Sequence, residues 1–156
     1  MDWFIRERGE PTNTSPTNRT LIKLLSAGGY DIGLPRDTVG RGEIFLTNAI
    51  LCLKQGGAQA RVKPEWFENC RSRFLRPLIE LVRPRVVVGL GQQAYMAILR
   101  AYGLQDEPFK AAVARSEPVG LVPGISAFAV YHCGARILNT HRKIEEQIRD
   151  WERIGA

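Results

Sequence analysis

Three short apolar runs divide this chain, and helical periodicity fills the stretches between them. Ile44 to Leu53 (IFLTNAILCL), Val86 to Leu90 and Phe128 to Tyr131 are rich in β-branched, aromatic and leucine side chains. Strands that are apolar along their whole length belong to parallel sheets covered by helices. Their alternation with helical patterns therefore predicts an α/β domain with right-handed crossovers. The expected architecture is a three-layer α/β/α arrangement around a short parallel sheet. At 156 residues, one domain spanning 1–156 buries about two-thirds of its unfolded surface.

The helices follow from spacing and end signals. Ser15-Pro16 supplies a cap and a first-turn proline, Leu21, Leu24 and Leu25 share a face, and Gly28-Gly29 ends the helix. Pro64 opens the longest helix, with Phe67, Cys70, Phe74, Leu78 and Leu81 on the expected apolar face. Arg71, Arg73, Arg76 and Arg83 fall on its other face, a solvated surface or a phosphate track. Pro77 within it removes a hydrogen bond or kinks the rod. A helix over Gln92–Tyr102 turns Ala94, Ala97, Ile98 and Ala101 inward, and a last helix carries Ile144, Ile148 and Trp151 as its stripe. Residues 1–16 and 30–42 read as loops, and Phe109–Gly124 as irregular chain with an edge hairpin around Pro118-Val119-Gly120.

Charge and cysteine content narrow the class. Lys+Arg number 22 against 16 Asp+Glu, a net +6, and most of the basic residues are arginines, whose forks fit phosphate oxygens. This leans toward nucleic acid, although ordinary solubility asks for a similar charge. No apolar run reaches the roughly 20 residues of a membrane span, and MDWFIRER is not a secretory leader. A cytoplasmic protein with no membrane partner is expected. Cys52, Cys70 and Cys133 form no CxxC, so neither a disulfide framework nor a zinc site is expected. The sequence sets no oligomeric state.

Chemistry gathers at strand ends. The run Phe128–Tyr131 stops at His132, followed by Cys133, Gly134, Ala135 and Arg136. Open α/β sheets bind ligands at the carboxyl ends of their strands. His132 is thus either a hydrogen-bonded structural histidine or a functional one. Asn48 interrupts an otherwise apolar run. It is either a structural carboxamide or one aimed at a ligand edge carrying one donor and one acceptor. Gly89, Gly91 and Ala94 in GLGQQA match a dinucleotide fingerprint. That fingerprint calls for an acidic residue ending the next strand, whereas Asp106-Glu107 sit beside Pro108. A tight strand-to-helix turn is the better account of these small residues.

FLTNAIL, VVVGLGQQAYMAIL and VYHCGAR stand in an order that resembles the uracil-DNA glycosylase superfamily over roughly residues 17–154. The resemblance implies base recognition by Asn48, stabilisation of the leaving base by His132, and phosphate contact through Gly134, Ala135 and Arg136. It also implies DNA with uracil or another damaged base as partner, and base-excision hydrolysis as the reaction. The family's His-Pro-Ser reads His132-Cys133-Gly134 here. Its first motif, which positions water and ends in a stacking aromatic, has only Asp2-Trp3 as a counterpart, with Phe4 for stacking. Residues 1–16 are then a remnant of that motif, and the protein an active, degenerate or truncated glycosylase. A non-catalytic nucleic-acid-binding module on the same scaffold is the alternative, and a dinucleotide-dependent enzyme a more distant one. No cofactor is expected. Cys52 and Cys70 resemble half of a four-iron cluster site found in some branches, completed only if upstream cysteines exist in a longer form. The strand before Asp2 is likewise expected from reading frame upstream of Met1.

Overall fold

The computed structural model describes residues 16–30, 44–51 and 62–155. They group into two compact units, one of Thr47–Val130 and one that joins the two ends of the chain, up to Leu46 and from Tyr131. The sheet, of order β1-β3-β2, lies in the first unit. Strand β1 (Val86–Leu90) pairs parallel with β3 (Ile125–Val130), from Val86 opposite Ser126 to Leu90 opposite Val130. Strand β2 (Val119–Val122) returns antiparallel to β3 through a turn in which Gly124 takes φ 84°. The α/β class with parallel pairing is as expected, and the edge hairpin makes the sheet mixed.

Two long helical stretches lead into and out of β1. The first opens at Pro64 as α2 (Pro64–Cys70), widens into a π-helical turn over Arg71–Leu75, and continues as α3 (Arg76–Val82). This wide turn corrects the expected apolar face. Phe74 is 49% exposed and Leu81 80%, while Cys70, Leu75 and Ile79 are buried. One extra residue in the turn moves the inward face on by one position. Pro77 supplies the physical reason. It has no N–H for the Arg73 carbonyl and its ring crowds that oxygen. The Arg76 N–H just before it reaches back five residues to the Arg71 carbonyl. At the far end Arg83 takes a left-handed cap (φ 51°) and donates to the Ile79 carbonyl, and Pro84 prevents continuation.

After β1, α4 (Gln92–Ala101) packs back on β1 and β3. Its buried residues are Tyr95 to Leu99 with Ala101, which include the expected Ala97, Ile98 and Ala101, while the expected Ala94 is half-buried. The turn before it is held by the Gly91 N–H donating to the Val130 carbonyl at 2.7 Å. A helix absent from the sequence reading, α5 (Phe109–Ala114), covers β3. Its six residues are too few to show a helical period.

The expected strand Ile44–Leu53 is the main disagreement. Residues 44–51 form no strand, and Phe45, Leu46 and Leu51 are exposed; Cys52 and Leu53 lie outside the described residues. An apolar run becomes a buried strand only when a neighbouring ladder takes its N–H and C=O groups. Among the described residues, β1 pairs on its β3 side alone, and Val86, Val87 and Val88 are only half-buried.

The second unit holds α1 (Pro16–Ala27), α6 (Ala135–Thr140) and α7 (Ile144–Gly155), with α1 packed on α7. Leu24 and Leu25 are buried as expected. At the end of α1, Gly29 (φ 78°) and Tyr30 donate to the Ser26 and Leu25 carbonyls, a Schellman closure. The inward face of α7 is Gln147, Asp150, Trp151 and Ile154, so the expected Ile144 and Ile148 flank it half-buried. No helix of the described residues is long and apolar enough to cross a membrane.

Gly89 lies close against the backbone of α4. A Cβ on Gly89 would lie 2.7 Å from Tyr95 Cα and 2.9 Å from its backbone nitrogen. Gly89→Ala is therefore expected to cost about 1–3 kcal/mol through overpacking against backbone. Urea unfolding followed by circular dichroism checks this, and a midpoint unchanged from the parent would refute the close approach.

Candidate functional site

The chain leaving β3 is shaped by alternate burial. Cys133 is buried and its thiol donates to the Thr17 carbonyl at 3.7 Å, whereas His132 before it is exposed. The Gly134 N–H donates to His132 Nδ1 at 3.0 Å. In a neutral imidazole this leaves the proton on Nε2, so the ring presents a donor to solvent. A Cβ on Gly134 would sit 3.1 Å from Nδ1, which makes a small residue there part of the arrangement.

Gly134 is also the cap residue of α6, and its carbonyl accepts from the Ile137 and Leu138 N–H groups. The first N–H groups of a helix have no partner within it, and Ala135 and Arg136 occupy those positions. Both residues are exposed. The structure therefore brings His132, Gly134, Ala135 and Arg136 together on one short segment. Arg142 closes that segment: its guanidinium lies 5.8 Å from the centre of the Tyr131 ring and forms a two-bond fork with Asp150, which raises its pKa further.

Asn48 belongs to the other unit. It lies exposed beside a shallow cleft of about 300 Å³, lined also by Ile50, Phe67, Leu90, Gln93 and Ala94. The expectation of a buried carboxamide is thus corrected, because the run that carries it has no ladder partner. Gln93 is the cleft residue that sequence reasoning missed. Its signal was a place in the first turn of a helix directly after a strand. Asp2, Phe4 and Cys52 lie outside the described residues, and Cys70 is buried at the end of α2.

The remaining charged candidates are engaged elsewhere. Arg71 pairs with Glu68, and Arg76 pairs with Glu80 and lies over Tyr102. Two of the four helix arginines are thus tied to carboxylates. Asp106 is gripped by Arg100, which holds its carboxyl below the usual range. Glu107 accepts from the buried Tyr95 hydroxyl at 2.7 Å and pairs with Arg115. Burial first, and then this carboxylate, push the Tyr95 phenol well above its ordinary value. Gly91 takes φ 90° at the cap of α4, so the GLGQQA glycines are explained by close packing and turn geometry, and both acids after them by arginine partners.

A family model described as the uracil DNA glycosylase superfamily matches residues 9–153. The chain is 33% identical over 113 residues to a type-5 uracil-DNA glycosylase of Pyrobaculum aerophilum, covering 72% of this chain and 46% of that protein. It is 28% identical over 151 residues to a type-4 uracil-DNA glycosylase of Archaeoglobus fulgidus, covering 95% of this chain and 70% of that protein. The chain thus spans about half the length of the first of these relatives.

Burial raises the pKa of the Cys133 thiol. Since the thiolate is the species that alkylates, Cys133 is expected to react with iodoacetamide at pH 8 at least roughly tenfold more slowly in the folded protein than in urea. Peptide-resolved mass spectrometry reads this directly, and equal rates would mean that the thiol is not enclosed.

Proposed function

The chain belongs to the uracil DNA glycosylase superfamily, and from that premise we propose that it hydrolyses the N-glycosidic bond of uracil in DNA. A base inside a duplex must leave the stack before that bond can be reached. In the reaction the C1′–N1 bond breaks with its electrons passing to the base, and water adds to the sugar carbon. Negative charge grows on the base and positive character on the sugar. The observation that carries the reading is the Gly134 N–H bond to His132 Nδ1. It occupies Nδ1 and leaves Nε2 as the ring's donor to an oxygen that gains charge only in the transition state. Donors of that kind are worth roughly 3 kcal/mol.

Asn48 reads the base in this proposal. Its carboxamide accepts from N3–H and donates to O4 of uracil, and cytosine presents the opposite pattern. Ala135 and Arg136 take the phosphate, through first-turn N–H groups and a guanidinium, while the Gly134 N–H stays on His132 Nδ1. Asp2 positions the water and accepts its proton, and Phe4 stacks on the base. A four-iron cluster does not fit the residues of this sequence. Such a cluster takes four thiolates, and three cysteines are present, of which Cys133 is buried with its thiol on the Thr17 carbonyl.

The test is incubation of the protein with a uracil-containing single-stranded oligonucleotide, scored as abasic sites. His132→Ala is expected to lower the single-turnover rate about 100-fold, the equivalent of roughly 3 kcal/mol, with DNA affinity nearly unchanged. Asn48→Asp moves preference from uracil toward cytosine. Arg136→Ala weakens all sequences alike and reduces the salt dependence by about 0.7 of a log unit per log unit of salt, the loss of one phosphate contact on a single strand. Salt-dependent binding without excision would leave a non-catalytic DNA-binding module, and no binding at low salt would remove DNA altogether.

A further inference from the structure

We propose that Asp150 is a positioning residue for His132, acting through Arg142 and Tyr131. The catalytic consequence rests on the glycosylase reading, whereas the positioning itself does not. Asp150 and Gln147 are the buried polar residues among those described, and Asp150 is 2% exposed. Arg142 Nε and Nη2 donate to its two oxygens at 2.7 Å each, and Arg153 Nη2 adds a third bond at 3.1 Å. A bidentate fork fixes the plane of a guanidinium as well as its position. The centre of that guanidinium lies over the ring of Tyr131, the residue before His132, 5.8 Å from its centre.

The backbone of Arg142 is held too. Its N–H donates to the Ile137 carbonyl at 3.1 Å, and its carbonyl accepts from Gln147 Nε2 at 3.2 Å. One residue therefore ties both ends of the segment 131–142 to α7. Among the described residues, the His132 ring is held by the Gly134 N–H, inside that same segment. Its placement consequently depends on how the segment is fixed, by Cys133 on Thr17 and by Arg142 on Asp150. Without the Asp150 charge, Arg142 has Glu146 as its remaining acidic neighbour, at 3.6 Å. A guanidinium that turns toward Glu146 leaves the Tyr131 ring.

Arg153 provides an internal control, because it shares the Asp150 carboxylate without closing the segment. The experiment compares the full chain with Asp150→Asn, Arg142→Lys and Arg153→Ala. It reads the His132 ring nitrogens by NMR (assigned with His132→Gln), amide exchange over 131–142, and single-turnover excision on the uracil oligonucleotide. In Asp150→Asn the Nδ1 acceptor signature is expected to average out and Gly134 exchange to quicken by about tenfold or more. Excision at saturating DNA falls roughly 10–100-fold, the range for groups that orient a functional side chain, with DNA affinity changed less than about threefold. Arg153→Ala lowers the melting temperature but leaves ring signals and rate in place. If Asp150→Asn does not fold, Arg142→Lys decides, since it keeps the charge and loses the fork. Ring signals and exchange unchanged in the folded variants overturn the proposal. A parent protein that excises nothing, yet loses the ring signature on Asp150→Asn, sinks the glycosylase reading and keeps the positioning.

Discussion

The parallel pairing of β1 with β3 is the constraint from which the sheet-bearing unit follows. It runs in unbroken register from Val86–Ser126 to Leu90–Val130, and the Gly91 N–H adds one more bond to the Val130 carbonyl. Both strands therefore end level. Parallel strands cannot be joined by a tight turn, so the intervening chain must cross over, and α4, α5 and the β2 edge all lie within that crossover. The absence of a side chain at Gly89 lets α4 descend onto the strand it has just left.

Much of this was legible in the sequence, and the reasons differ by element. Val86–Leu90 was read correctly because three successive valines lie between Pro84 and a glycine turn. The His132 segment was legible because an apolar run stopped abruptly at a titratable side chain. Ile44–Leu53 was misread for a reason no local pattern reveals: strand burial depends on a partner elsewhere in the chain. The same error made Asn48 a buried carboxamide when it stands exposed beside a cleft.

Two features were invisible for another reason, namely that apolar patterning has no symbol for a buried polar group. Gln147 and Asp150 lie three residues apart and next to Trp151, so helical spacing already set them on its inward face. A stripe drawn through Ile144, Ile148 and Trp151 passed beside them. Equally, the sequence displays His132 and Gly134 two positions apart, but only the fold shows that one chooses the tautomer of the other.

The π-helical turn at Arg71–Leu75 has a consequence for how this rod tolerates change in length. An α-helix with an added residue must either rotate everything beyond the addition or loop it out. Here the surplus is held within one turn, so Cys70 before it, Leu75 at its end and Ile79 after it all reach the interior. The Arg76 N–H, which bridges five residues back, is the place where the surplus is absorbed. Loss of one residue between Arg71 and Leu75 would restore an ordinary turn while leaving the phase of α3 and the start of β1 intact. Loss of one residue from α2 or α3 would have no such reservoir, and would turn Leu75 and Ile79 away from the core or drag the strand out of register. Length variation in this region is accordingly cheap at one turn and costly at its neighbours.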